Sequence, residues 1–224
     1  MSPYRSPNFG PRPAGVPVDM LVLHYTGMPT AEAALARLCD PAAKVGAHYV
    51  IDEDGAVHAL IDEAMRAWHA GESFWRGETD INGRSIGIEL VNPGHEFGCR
   101  PFPEAQMTAL IDLARSILGR HPIPPANVVG HSDVAPRRKT DPGELFDWPR
   151  LAAAGIGRWP DGAAPADDRD GPGLLTAVGY ETVDIEKTVM AFQRHFRPSL
   201  VDGTMDADTL GRLRILAAES DGKG

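Results

Sequence analysis

Val128-Val129-Gly130-His131-Ser132-Asp133-Val134-Ala135-Pro136-Arg137-Arg138-Lys139-Thr140-Asp141-Pro142-Gly143 is the most informative run in this chain. It opens with β-branched residues, as a buried strand does, and breaks into a loop punctuated by Pro136, Pro142 and Gly143. His131 stands at the strand exit, Asp141 lies further along the loop, and Lys139 sits between them. An imidazole, a carboxylate and an ammonium on one loop make a candidate metal site with an electrostatic helper. A catalytic zinc site takes three protein ligands and leaves the fourth position to water, so a third ligand must come from elsewhere. His24, near the end of the apolar run Met20-Leu21-Val22-Leu23-His24-Tyr25, is the best placed. Two histidines and a carboxylate suit zinc first, with Fe(II) as the alternative.

Outward from this loop, the periodicity alternates between strands and helices. Thr30 reads as an N-cap and Ala31 to Leu38 as a short helix. Ala47 to Ile51 and Ala56 to Ile61 flank Asp52-Glu53-Asp54-Gly55, a hairpin signature. The segment from Gly71 to Arg84 is long and irregular, the kind of loop that carries function or is disordered. Ser85-Ile86-Gly87-Ile88-Glu89-Leu90-Val91-Asn92 is a further strand, and its Glu89 interrupts an apolar run at a cost unless it is partnered. From Pro103, the residues Met107, Leu110, Ile111, Ala114, Ile117 and Leu118 trace one helical face, with Gly119 placed to end the helix. Crossover helices between strands imply a mixed sheet with parallel pairs. If the strands bearing His24, Glu89 and His131 are parallel neighbours, these side chains converge at the carboxyl edge, where α/β proteins bind ligands.

The chain has 224 residues, enough for one domain of ordinary size and a small second one. Residues 1–160 are expected to form the catalytic domain with an extended, proline-rich N-terminal arm, 161–172 a linker, and 173–224 a small three-helix unit that docks on the first. A net charge of −9 argues against nucleic acid as a partner. No apolar run of about 18 residues is present to span a membrane. The N-terminus lacks an apolar signal core, so a cytoplasmic location is expected, with the envelope as the alternative if a leader was removed. Cys39 and Cys99 read as free thiols, and a monomer is expected.

Each candidate has a plainer reading beside it. Glu89 is either the general base for a metal-activated water or a partnered structural carboxylate. Lys139 either stabilises an oxyanion or is a solvated loop cation beside Arg137 and Arg138. His69 and Trp75 read as cleft-lining or packing residues, His48 and His58 as structural or solvated, and His121 and His195 as surface. A rival reading takes His131 and Asp133 as an H-x-D pair with His195 as third iron ligand; the long helix after Pro103 does not suit the all-β fold this needs.

The stretches Leu21 to Thr26, Ala47 to Asp52, Ala67-Trp68-His69-Ala70-Gly71, Ser85 to Asn92 and Gly130 to Gly143 occur in this order over roughly residues 20–150. Together they resemble the type-2 N-acetylmuramoyl-L-alanine amidases, the AmpD/AmiD-like zinc enzymes that share a fold with peptidoglycan recognition proteins. The resemblance implies an α/β fold with a mixed β-sheet flanked by helices, and zinc held by His24, His131 and Asp141. It implies Glu89 as the catalytic carboxylate and Lys139 as the transition-state cation. The expected reaction is hydrolysis of the amide between N-acetylmuramic acid, or its 1,6-anhydro form, and L-alanine in peptidoglycan or muropeptides. Tyr49, His69 and Trp75 are the expected substrate contacts. A non-catalytic muropeptide-binding module is the alternative, though such proteins lack the zinc set. Ala191-Phe192-Gln193 and Val201-Asp202-Gly203-Thr204 resemble a peptidoglycan-binding three-helix domain, here short and single.

Overall fold

The computed structural model describes residues 3–222. Strand β1 (Phe9–Pro11) precedes the apolar β2 (Met20–Tyr25), and the Thr30 hydroxyl caps α1 (Ala31–Cys39) by accepting from the Ala33 amide. The hairpin strands β3 (Tyr49–Ile51) and β4 (Val57–Ala59) turn through Gly55, whose φ of +89° needs glycine. Then come β5 (Met65–Ala67), α2 (Ile81–Arg84), β6 (Ser85–Leu90), α3 (Gly94–Phe97) and the long α4 (Glu104–Arg120). β7 (Val128–Gly130) runs straight into α5 (His131–Val134), followed by α6 (Trp148–Ala153), α7 (Gly171–Val178), α8 (Ile185–Phe196) and α9 (Ala207–Asp221). Gly119 does not end α4: the helix continues to Arg120 and stops at His121, because the residue before Pro122 is driven out of helical backbone.

The central sheet has the order β4-β3-β6-β2-β7, with β3, β6, β2 and β7 parallel and β4 antiparallel at the edge. Side chains on successive strand residues face opposite ways, and this sheet uses both faces. Leu21, Leu23, Ile86 and Ile88 pack on one side with Met107, Leu110 and Ile117 of α4. Met20, Val22 and Val129 pack on the other with Leu175, Phe192 and Leu213 of the C-terminal helices. Those helices, read from the sequence as a separate unit, cover the second face of the sheet and share one core with it. The N-terminal arm is extended but anchored: Asn8 Nδ2 donates to the Leu38, Asp40 and Val45 carbonyls, and Arg12 to the Gly83 and Ser85 carbonyls.

The seam between sheet and helices corrects two expectations. Trp75 is buried, edge-on to Tyr180 with ring centres 4.9 Å apart, so it packs the seam. His195 is not on the surface. It is buried between the rings of Trp148 and Phe196, 3.6 and 3.7 Å away, and its Nδ1 lies 2.7 Å from Asp133 Oδ2. The same carboxylate accepts from the Gly130 amide at 2.7 Å and from the Tyr180 hydroxyl at 2.6 Å. No helix among the described residues is long and apolar enough to cross a membrane, and Cys39 and Cys99 are free thiols.

Candidate active site

Strand register assembles the site. β2 pairs with β6 so that His24 is opposite Glu89, and with β7 so that Leu23 is opposite Gly130, immediately before His131. All three functional side chains therefore reach the carboxyl edge of the parallel strands. On β6, Ser85, Gly87 and Glu89 share one face, while Ile86, Ile88 and Leu90 fill the core behind them.

His24 Nδ1, His131 Nδ1 and Asp141 Oδ2 form a near-equilateral triangle with sides of 2.9, 3.0 and 3.0 Å, and all three residues are buried. The outward nitrogen of His131 lies 3.0 Å from the Ala70 carbonyl, an acceptor only, so Nε2 carries the proton and Nδ1 presents a lone pair. The outward nitrogen of His24 lies 3.0 Å from His69 Nδ1, and His69 Nε2 lies 3.0 Å from Ser85 Oγ. A proton on His24 Nε2 and one on His69 Nε2 satisfy that chain and leave His24 Nδ1 unprotonated. Three lone pairs facing one another in a buried corner repel unless a cation lies between them. Tetrahedral ligands at about 2.0–2.2 Å from zinc lie roughly 3.3 Å apart, close to the triangle seen here. The residues therefore fit a divalent metal of zinc's size. Burial and the neighbouring His131 hold the His24 pKa down to about 4, which keeps the ring neutral as a ligand must be. Burial alone would raise the Asp141 pKa, but the two imidazoles hold it well below the usual carboxylate range.

A second layer orients these ligands, as metal sites require. His69 lies flat across β6 because position 87 has no side chain; a Cβ there would come within 2.5 Å of the His69 ring. Asn82 Oδ1 accepts from the His69 and Ala70 amides, and Arg138 Nη2 donates to the Ala70 carbonyl at 2.5 Å. Gly87, Ser85, Asn82 and Arg138 were not singled out as site residues from the sequence. Only the alternation of Ser85, Gly87 and Glu89 hints at a shared face.

Glu89 lines a cleft of about 560 Å³ together with His24, His69, His131, Lys139 and Asp141. Its Oε2 is buried and has no hydrogen-bond partner. Burial, then the Asp141 charge, raise the Glu89 pKa well above the ordinary value, with Lys139 pulling the other way. The Lys139 ammonium makes no hydrogen bond or salt bridge among the described residues.

The other sequence candidates lie elsewhere. Tyr49 does not line this cleft; its hydroxyl donates to Glu63 Oε1 at 2.6 Å in a different cavity, because β3 presents alternate residues to opposite faces. Trp75, buried in the seam, does not line it either. His69 does line it, behind His24. His48 is buried and structural, its Nδ1 accepting from the Gly87 amide. The H-x-D iron set is not assembled, since Asp133 turns to His195 while His131 turns to His24 and Asp141.

Comparison with known proteins agrees with this geometry. The profile of the N-acetylmuramoyl-L-alanine amidase family (Amidase_2) matches residues 14–144. The N-acetylmuramoyl-L-alanine amidase AmiD of Escherichia coli is 40% identical over 222 residues, covering 86% of this chain and 79% of its own length. The solved structure of E. coli AmiD with anhydro-N-acetylmuramic acid-L-Ala-D-γ-Glu-L-Lys superposes with a TM-score of 0.81 at 39% identity, covering 92% of this chain and 91% of that one. The structure of AmpDh3 from Pseudomonas aeruginosa with an anhydromuramic pentapeptide gives a TM-score of 0.83 at 34% identity, covering 92% and 94%. With its matching profile and this edge-of-sheet corner of His24, Glu89, His131 and Asp141, the chain belongs to the N-acetylmuramoyl-L-alanine amidase family.

Proposed function

We propose that the metal is zinc, held by His24 Nδ1, His131 Nδ1 and Asp141 Oδ2, and that the substrate is a muropeptide, including 1,6-anhydro forms, cut between N-acetylmuramic acid and L-alanine. Two imidazoles and one carboxylate, with room for water on the open side, are the donors a catalytic zinc takes. Bound there, zinc supplies a Lewis acid for the scissile carbonyl and brings the pKa of a water toward about 7.

The observation that carries this reading is Glu89, a half-buried residue lining the cleft beside the candidate metal ligands, whose buried Oε2 has no partner. Its raised pKa makes it a competent proton acceptor from the attacking water. The same carboxyl then returns that proton to the alanine nitrogen as the C–N bond breaks, so the step balances without a further donor. Lys139, with no carboxylate of its own, stabilises the oxyanion of the tetrahedral intermediate. His69 and Ala70 hold the two imidazoles in the required orientation. The anhydromuropeptides in the two solved relatives support the substrate class.

The test is mass spectrometry of a muropeptide mixture incubated with the metal-loaded protein beside a chelated control, with elemental analysis of the bound metal. Free stem peptides beginning at L-alanine, released only in the presence of metal, are expected, with zinc rather than iron bound. Muropeptides that stay intact but are retained by the protein would replace hydrolysis with binding alone.

A further inference from the structure

Beyond the cleft, the loop Pro136 to Thr140 forms one wall of a second cavity of about 270 Å³, and α8 forms the other. Five cations line it: Arg137, Arg138 and Lys139 from the loop, Lys187 and Arg194 from the helix. This is a concentration of positive charge on a chain of net charge −9. The neighbouring carboxylates neutralise it only at Arg137, which pairs with Glu181 at 2.9 Å. Glu144 is taken by His95 at 3.0 Å, and Asp133 by His195 and Tyr180. Lys187 has Asp184 only at 3.9 Å.

Arg194 is the most telling member. Its guanidinium is half-buried, and it makes no hydrogen bond or salt bridge among the described residues. Burial lowers its pKa, with Glu144 and Tyr25 among the groups that act on it electrostatically. A partly desolvated guanidinium with unmatched donors is costly unless an anion completes it. Its place relative to the chemistry is also set. Thr140 immediately precedes the metal ligand Asp141, lines both cavities, and is hydrogen-bonded to the Tyr25 hydroxyl at 3.0 Å. The basic cavity therefore begins one residue from the metal corner.

We propose that this cavity is a carboxylate subsite, completed by Arg194 and Lys187 of the C-terminal helices, that takes a free carboxylate of the peptide stem. The inference rests on the amidase reading of the cleft. In a muropeptide of the kind bound to the AmiD relative, the muramic carboxyl is consumed by the amide. A γ-linked glutamate keeps its α-carboxylate, and the terminal residue keeps its own, so the negative charge lies on the peptide side. An extended stem of three residues spans roughly 10 Å, and the two cavities share Arg138, Lys139 and Thr140 in their walls. Planar guanidinium groups match carboxylate geometry. The C-terminal helices thereby select the peptide while the sheet cuts the bond.

The experiment compares two substrates, anhydro-N-acetylmuramoyl-L-Ala-γ-D-Glu-L-Lys as the free acid and with both free carboxylates converted to amides. The ratio of kcat/KM, acid over amide, is measured for the parent protein and for the Arg194→Gln and Lys187→Gln variants. The proposal expects the parent to favour the acid and the Arg194→Gln ratio to fall roughly tenfold, as loss of one charge-assisted contact implies, with a smaller fall for the exposed Lys187. An unchanged ratio overturns it. Calorimetric binding of the free tripeptide L-Ala-γ-D-Glu-L-Lys decides the subsite independently of catalysis. If the parent cuts neither substrate, the amidase reading fails, while tripeptide binding lost in Arg194→Gln still supports the subsite. Displacement of the tripeptide by an equal concentration of inorganic phosphate would overturn recognition of the stem in favour of a general anion site.

Discussion

Two buried polar clusters lie two residues apart on the same turn, and they are built on opposite principles. Around Asp133 the carboxylate itself is matched: it accepts from the Gly130 amide, the Tyr180 hydroxyl and His195 Nδ1 at 2.6–2.7 Å, and only the far nitrogen of His195, stacked between Trp148 and Phe196, is left without a partner. Around His131 nothing is matched inward. Two imidazole nitrogens and a carboxylate oxygen face one another at 2.9–3.0 Å, and the buried Oε2 of Glu89 has no partner at all. A satisfied buried network stabilises and locks a packing arrangement. An unsatisfied one is destabilising as it stands and persists where a ligand completes it. The first cluster ties the C-terminal helices to the loop, and the second is the candidate metal site.

Four measurements sharpen or break this contrast. The largest effect is expected at Glu89. Glu89→Gln should lower kcat by about 10²–10⁴-fold while leaving metal content and melting temperature near those of the parent. The base must be ionised to accept a proton, and its pKa is raised above 4.5, so parent activity should rise with pH along an acidic limb lying above that value. A limb at or below 4.5 would remove Glu89 from the role.

Asp133→Ala comes next. It strands two side-chain donors and one amide in the seam, so denaturant unfolding should show a loss of about 2–5 kcal/mol. A loss near zero would mean that the matched cluster holds nothing together. At His69, the contrast predicts a loss in metal binding greater than the loss in fold. His69→Ala should weaken metal affinity about 10–100-fold, read by competition with a chromogenic chelator. The smallest effect belongs to Tyr180→Phe, about 1 kcal/mol of stability, with metal affinity unchanged. If metal affinity falls in Tyr180→Phe as far as in His69→Ala, the two clusters are one device rather than two.

These candidate site residues were legible because each breaks a local pattern. His24 comes at the end of an apolar strand, His131 begins the turn after one, and Glu89 is a carboxylate inside a run that otherwise reads as core. A charged or metal-binding group in such a place is costly to keep without a purpose. The aromatic residues break no pattern. Trp75 and Tyr49 carry the same composition whether they stack on a ligand or fill a seam, and the structure puts the first against Tyr180 and the second beside Glu63. His195 follows the same logic in reverse: on a helix with strong amphipathic spacing it reads as polar surface, yet Asp133, distant in sequence, gives it a buried partner.

The sequence by itself determined the strands of the central sheet, the Thr30 cap, and the candidate ligands His24, His131 and Asp141 with Glu89 beside them, since period, punctuation and residue chemistry are local properties. Tertiary structure alone decided that α7, α8 and α9 close the second face of the sheet, and that Gly87 leaves room for His69 behind His24. It also brought Arg194, far along the chain, to a cavity beginning beside the metal corner. These outcomes depend on which surfaces meet across long stretches of chain, and that is set by the summed burial of both faces rather than by any one residue's preference.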